Sequence, residues 1–506
     1  MTMAALPIQQ TYLSHSISEP AFDDAGEALF YVRIADAKRA IVRHLLSSGF
    51  SQVITTEPMP KGGVGYGGGV YVVFGHTLIY AAQDGRLYGV DLLNGKQWPV
   101  TPRYEGIAAP TVSSCGRFVA FLCEQDGRCN VLLTQTNGKT LPIKITDDPW
   151  YAFNPVFSPD GSRLAWQEWD EREMPWEQAR LKIARFDKAA PHCRHLHELL
   201  PPTLVAIIAK DHTSYSSPQF STSGMFLAFT SDETGWRSLW IADSDGENAR
   251  HIETGPGEIG QPDWIPGLAA MRWSRTDDYL FTIRRHESRD TLLCVDWRQD
   301  KSNELKSEWT TMEALRCRGD TLAFIGSNPS TPPTLVTLDA AHGSTVARAA
   351  SAVGLLETAV LSQPSFLSWK TTGSEEAHGI LYAAAGQPGN QRRPLIVSMH
   401  GGPTSERSFG WDAQAQYFAT RGWHYLIVNY HGSSGYGRAY QDSLSGRWGI
   451  ADVEDARTGA AHLVDVGLAD PQRLVITGGS AGGYTTLMAL TAYPEFWAAG
   501  VALYGI

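Results

Sequence analysis

The sequence predicts a β-propeller of about seven blades followed by an α/β domain. Three observations carry that expectation. A strand–turn–strand pattern recurs through the first two-thirds of the chain. After it, near-continuous apolar runs alternate with helical stretches. One of those runs ends in a glycine-packed turn around a single serine, Val475-Ile476-Thr477-Gly478-Gly479-Ser480-Ala481-Gly482-Gly483-Tyr484.

The repeats come first along the chain. Phe22-Asp23-Asp24-Ala25-Gly26-Glu27-Ala28-Leu29-Phe30 aligns with the segments beginning at Val112, Phe157, Phe220 and Trp273. Each has an apolar residue, a polar turn with Asp or Gly, and an alternating apolar strand. A second strand and turn follow, as in Leu239 to Gly246. Weaker copies fall at Val70 to Tyr80 and Leu315 to Phe324. One such unit cannot bury both faces of its sheet, so the units are expected to stack around an axis. An open all-β array is the alternative. From about Ser362 the texture changes. Pro394 to Met399 and Tyr425 to Tyr430 read as strands buried on both faces, and Arg473 to Thr477 as another. Asp412 to Thr420, Asp452 to Leu463 and Gly483 to Ala492 read as helices, and the apolar run Ala498 to Tyr504 follows. The expected division is an N-terminal extension over 1–17, the propeller over 18–355 and the α/β domain over 356–506.

Composition narrows the classes of function. The 506 residues carry a net charge of −11, 43% hydrophobic and 19% charged residues, which describes a globular chain of more than one domain. The acidic balance argues against nucleic acid and anionic membranes as partners. No window approaches the roughly 20 apolar residues of a membrane span. Met1 to Ser16 has no basic segment followed by an apolar core, so no leader is read there, and the expected compartment is the cytoplasm. Six cysteines occur without a C-x-x-C pair, and reduced, mostly buried thiols are expected rather than a metal site. Gly62 to Gly69 is glycine-rich but lacks the lysine of a P-loop. No cofactor or metal is expected.

The turn at Ser480 has the form G-x-S-x-G, which presents a serine hydroxyl at a sharp strand-to-helix turn. Alone this pattern is weak, because glycine-rich turns also bind phosphates or simply turn corners. Acyl transfer also needs donors aimed at the developing oxyanion. The Ala481 amide follows the nucleophile, and the loop His400-Gly401-Gly402-Pro403 supplies a second glycine-lined backbone after an early strand.

Together with Asn429-Tyr430-His431-Gly432-Ser433-Ser434-Gly435-Tyr436-Gly437, these motifs resemble the prolyl oligopeptidase family of serine peptidases, in its acylaminoacyl-peptidase and dipeptidyl-aminopeptidase-like branch. The resemblance implies an α/β-hydrolase domain after the propeller, and hydrolysis of short peptides admitted between the two. It implies that Ser480 is the nucleophile and that the Gly402 and Ala481 amides form the oxyanion hole. It also draws in Glu171 and Glu173 of the insertion Trp169 to Glu177, since relatives with aminopeptidase-like activity hold a free substrate amine on propeller carboxylates. The bland reading of that insertion is a solvated loop.

Two departures from the family pattern stand out. His431 occupies a position where the family usually has arginine. His431 and His400 both precede Ser480, whereas in α/β-hydrolases the base follows it. Among the 26 residues after Ser480 there is no histidine or aspartate, and Glu495 is the sole carboxylate. The sequence is therefore expected to be C-terminally truncated, with the triad Asp and His not in this chain and little activity left to these 506 residues by themselves. Asp452, Glu454 and Asp455 are read as structural, favouring a helix dipole. An esterase on the same chemistry and a non-catalytic peptide-binding propeller are the rival readings.

Overall fold

Five of the seven repeated segments share one turn chemistry, and it builds a hairpin each time. Ser158 accepts the Arg163 amide on Oγ at 2.9 Å while its carbonyl accepts from Gly161 at 2.8 Å. Ser113, Ser221 and Ser274 hold the equivalent turns through the amides of Phe118, Phe226 and Tyr279. Asp23 does the same with the amides of Glu27 and Ala28. A side-chain oxygen closing its own turn is the reason these residue types recur there. The two weak copies lack it, because their strands are joined by two-residue turns, Gly75-His76 and Gly319-Asp320.

The computed structural model describes residues 5–8, 15–186, 202–268, 270–352, 360–385 and 391–506. The hairpins extend into seven antiparallel blades, spanning residues 16–55, 71–99, 106–144, 151–208, 215–252, 258–305 and 311–350. Blade six has five strands and the others four, its innermost strand being split into Glu258–Ile259 and Met271–Trp273. Apolar residues of neighbouring blades interlock around the whole ring. Phe30 and Ile41 pack with Leu78 and Tyr80 across blades one and two. The ring closes where Leu29 and Tyr31 of blade one meet Ala323 and Leu335 of blade seven. This is the seven-bladed propeller the repeats call for.

The α/β-hydrolase region has the strands β1 (Pro364–Lys370), β2 (Glu376–Tyr382), β3 (Arg393–Met399), β4 (His424–Asn429), β5 (Ala469–Gly479) and β6 (Ala499–Leu503). They lie in the order β1-β2-β4-β3-β5-β6, with β1–β2 and β2–β4 antiparallel and the remaining pairs parallel. The helices are α1 (Ala413–Ala419), α2 (Arg438–Asp442), α3 (Ala451–Asp465) and α4 (Ala481–Ala492). Alternate residues of β3 serve opposite faces. Leu395 and Val397 pack toward α3 and α4, and Ile396 packs toward α1. Both faces of the central strands are covered, which is why they read as unbroken apolar runs.

Residues 5–8 lie on this domain, with the Leu6 amide donating to Thr420 Oγ1 at 3.1 Å and its carbonyl accepting from Arg421. The expected boundary at residues 355 and 356, and Cys193, lie outside the described residues. Among the described cysteines none is in a disulfide. No described helix is long and apolar enough to cross a membrane.

Candidate active site

Ser480 sits between β5 and α4 with φ 55° and ψ −124°, a conformation a side-chain-bearing residue adopts only when its surroundings enforce it. The enforcement comes from two backbones crossing where no Cβ fits. A Cβ on Gly478 would lie 2.3 Å from the Gly482 carbonyl oxygen, and one on Gly482 would lie 2.2 Å from the Met399 carbonyl oxygen. The strained turn lifts the serine off the sheet, and its hydroxyl makes no capping bond to α4.

Because β3 and β5 are parallel neighbours, with Met399 beside Gly478, the loop after β3 arrives next to Ser480. A Cβ built on Gly401 would stand 3.4 Å from Ser480 Cβ and 4.0 Å from its Oγ. His400 shapes this loop. Its Nδ1 is 2.8 Å from the Gly401 carbonyl oxygen, its Nε2 is 2.9 Å from Ser433 Oγ, and its ring stacks on Tyr430. Burial lowers the imidazole to about 4, so the ring is neutral, with Nδ1–H donating and Nε2 accepting. Fixing the Gly401 carbonyl also fixes the Gly402 N–H, which belongs to the same planar peptide and points the opposite way. Among the described residues, the Gly402 and Ala481 amides donate to no backbone carbonyl. Ala481 opens α4, so its amide adds the positive end of the helix.

His431 is engaged elsewhere. Its backbone N–H and its Nδ1 both reach Asp455 Oδ2 at 2.8 Å, and its Nε2 is 3.7 Å from Glu375. The acidic cluster therefore does more than favour a helix dipole. Asp455 braces the loop after β4, and Asp452 binds the Gly449 amide and the Thr485 hydroxyl.

The propeller reaches Pro403 and Thr404, just beyond Gly402 in the loop after β3. A cleft of ≈ 590 Å³ between the two parts is lined by Glu173, Trp176, His212, Pro403, Thr404 and Arg438, among others. Glu173 thus lines the same cleft as Pro403 and Thr404 of the loop after β3, and burial together with Asp170 and Glu177 raises its carboxyl above the usual range. Glu171 is exposed and outside that lining. Trp176 packs on Trp264 at 4.4 Å, and Trp264 Nε1 donates to the Thr404 carbonyl at 2.7 Å. Arg438 joins the two parts through Asp232 at 2.7 Å and the Glu177 carbonyl at 2.8 Å. Trp176, Trp264 and Arg438 carry no local motif. Their importance comes from contacts between residues far apart in sequence.

Further along the loop after β3, Glu406 joins a buried cluster of titratable side chains. Glu406 lies 3.4 Å from Arg285, which also forks onto Asp290 at 2.6 Å and 2.8 Å. Glu258 accepts the Gly435 and Gly437 amides, each at 3.1 Å. Burial pushes the Glu406 carboxyl up from 4.5 to about 8. The folded protein thus keeps a proton that the unfolded chain has already released. The resulting stabilisation is full below about 4.5 and is lost as pH rises through about 8. The melting temperature of the native protein, measured against that of Glu406→Gln, is expected to fall across this interval. Parallel curves would contradict it.

Residues 408–506 match the prolyl oligopeptidase family. The acylamino-acid-releasing enzyme of Arabidopsis thaliana is 38% identical over 109 residues, which is 22% of this chain and 14% of that protein. Dipeptidyl aminopeptidase BIII of Pseudoxanthomonas mexicana is 36% identical over 112 residues, 22% of this chain and 16% of that protein. The chain thus spans only about one-sixth of the length of these curated relatives. Among solved structures, a puromycin-hydrolyzing peptidase of Mycobacterium tuberculosis superimposes with a TM-score of 0.88 at 25% identity, covering 100% of this chain and 80% of that one.

Proposed function

With residues 408–506 placed in the prolyl oligopeptidase family, we propose that this protein is a serine peptidase that cleaves short peptides at Ser480. The observation that carries the reading is the strained Ser480 turn set beside the Gly401–Gly402 loop, with two backbone amides that donate to no described backbone carbonyl. Ser480 Oγ attacks the scissile carbonyl. The amides of Gly402 and Ala481 receive the oxygen as it gains charge. A base takes the hydroxyl proton and returns it to the leaving amine, and water then cleaves the acyl-enzyme. His400 and His431 are both engaged elsewhere, and neither is assigned the base's role. The propeller admits short peptides to the cleft and turns folded proteins away.

Labelling with a fluorophosphonate, followed by peptide mapping, tests the nucleophile. Modification of Ser480 is expected, and a labelled protein without modified Ser480 would sink the reading. Turnover of p-nitrophenyl esters with none of peptide anilides would favour an esterase, and peptide binding without turnover a binding propeller. Glu173 is proposed to hold a free substrate amine through a charge-assisted hydrogen bond. Glu173→Gln is then expected to raise KM about tenfold for peptides with a free N-terminus while sparing N-acetylated ones, since one lost charged contact is worth roughly 1.4 kcal/mol or more. Equal effects on both substrates would remove Glu173 from that role.

A further inference from the structure

The propeller axis carries a second charged feature, away from the cleft. Arg272 lies on Met271–Trp273, the innermost strand of blade six, and Arg316 on Thr311–Arg318, the innermost strand of blade seven. These two strands touch across the seam between the blades. Both arginines are half-buried, while Met271, Trp273 and Leu315 beside them are sealed into the seams.

Among the described residues each guanidinium makes one hydrogen bond, to its own strand. Arg272 donates to the Met271 carbonyl at 2.8 Å and Arg316 to the Leu315 carbonyl at 2.9 Å. Among the described residues neither has a carboxylate at ion-pair distance. Arg285, on the next strand of blade six, shows what a compensated arginine looks like in this propeller, with a bidentate Asp290 and a neighbouring Glu406. The Glu19 carboxylate acts on the Arg316 charge, but its Oε2 is taken by the Val70 amide at 2.7 Å and its carbonyl by Tyr71. Burial holds both guanidinium groups below their usual range, and Arg316 depresses Arg272 further. Two like charges on touching strands, with most of their donors used by no described residue, favour a counter-charge there.

We propose that Arg272 and Arg316 form an anion-binding site on the propeller axis, which takes the carboxylate or phosphate group of a small ligand. The planar fork of each guanidinium suits two oxygens of such a group, and two forks from adjacent blades converge on it. The site stands independently of the assignment of Ser480.

The test is calorimetric titration of the full chain at low ionic strength with inorganic phosphate, and with a tripeptide offered as its free acid and as its C-terminal amide. Saturable anion binding that weakens about tenfold or more in Arg272→Gln and in Arg316→Gln is expected, because each variant loses a charged fork. Arg272→Lys keeps the charge but not the fork, and an intermediate loss there supports the site if a Gln variant does not fold. A free acid that outbinds its amide identifies a peptide carboxylate as the source. Phosphate binding without that preference identifies a free anion. No saturable binding of phosphate or free acid, or binding left unchanged by the arginine variants, overturns the proposal.

Discussion

In a protein that also carries the triad base and acid, Ser480→Ala is expected to remove peptide hydrolysis and fluorophosphonate labelling together, with kcat falling by at least about 10³-fold. Alanine keeps the backbone of the turn and deletes only the hydroxyl. That hydroxyl makes no capping bond, so the melting temperature is expected to stay close to that of the native protein. The pairing of the two readouts matters. Lost activity with an unchanged melting curve locates the chemistry at Oγ, whereas a parallel loss of stability would make Ser480 a structural residue. Full activity in Ser480→Ala would refute the proposed mechanism.

The second large effect is expected at Gly482. An added Cβ would meet the Met399 carbonyl oxygen at 2.2 Å and the His400 carbonyl oxygen at 2.7 Å. Both are backbone atoms at the end of β3, so they have no rotamer with which to give way. Gly482→Ala must push α4 away from the sheet or displace the loop that carries Gly401 and Gly402. Overpacking against backbone of this kind is expected to cost about 2–4 kcal/mol and to abolish activity in whatever folds. Gly467→Ala is the control. Gly467 has a positive φ, 80°, which Gly482 does not, and nothing lies within 4 Å of its Cβ position. There the penalty is conformational alone, about 1 kcal/mol. Denaturant unfolding of the two variants separates a steric crossing from a glycine that merely turns the chain. Equal losses would mean that the elbow is not close-packed.

Several features were legible because their causes are local. A serine or aspartate closing its own turn recurs in five blades and leaves a readable repeat. The two blades with shorter turns, at Gly75 and Gly319, left only faint ones. The unbroken apolar character of β3 and β4 reports burial on two faces, and the helices α1, α3 and α4 fall within two residues of where composition places them. The roles of Asp452 and Asp455 were not legible. A helix start explains acidic residues well enough, and nothing local distinguishes one that favours a dipole from one that holds His431.

By itself, the sequence determined the order and kind of the elements, the glycine crossing at the elbow and the residue at its tip. Hydrophobic period, turn chemistry and the steric need for glycine all act within a few residues, so they are written in the order of residues. Closure of the ring and the seating of the two parts against each other decided the rest. They selected Glu173 over Glu171 for the cleft, set Trp264 against Thr404 in the loop after β3, and placed Glu406 beside Arg285. They also left Arg272 and Arg316 on touching innermost strands with no described carboxylate at ion-pair distance. These outcomes depend on desolvation and on charges brought together from distant points in the chain, and only the folded structure sets those distances.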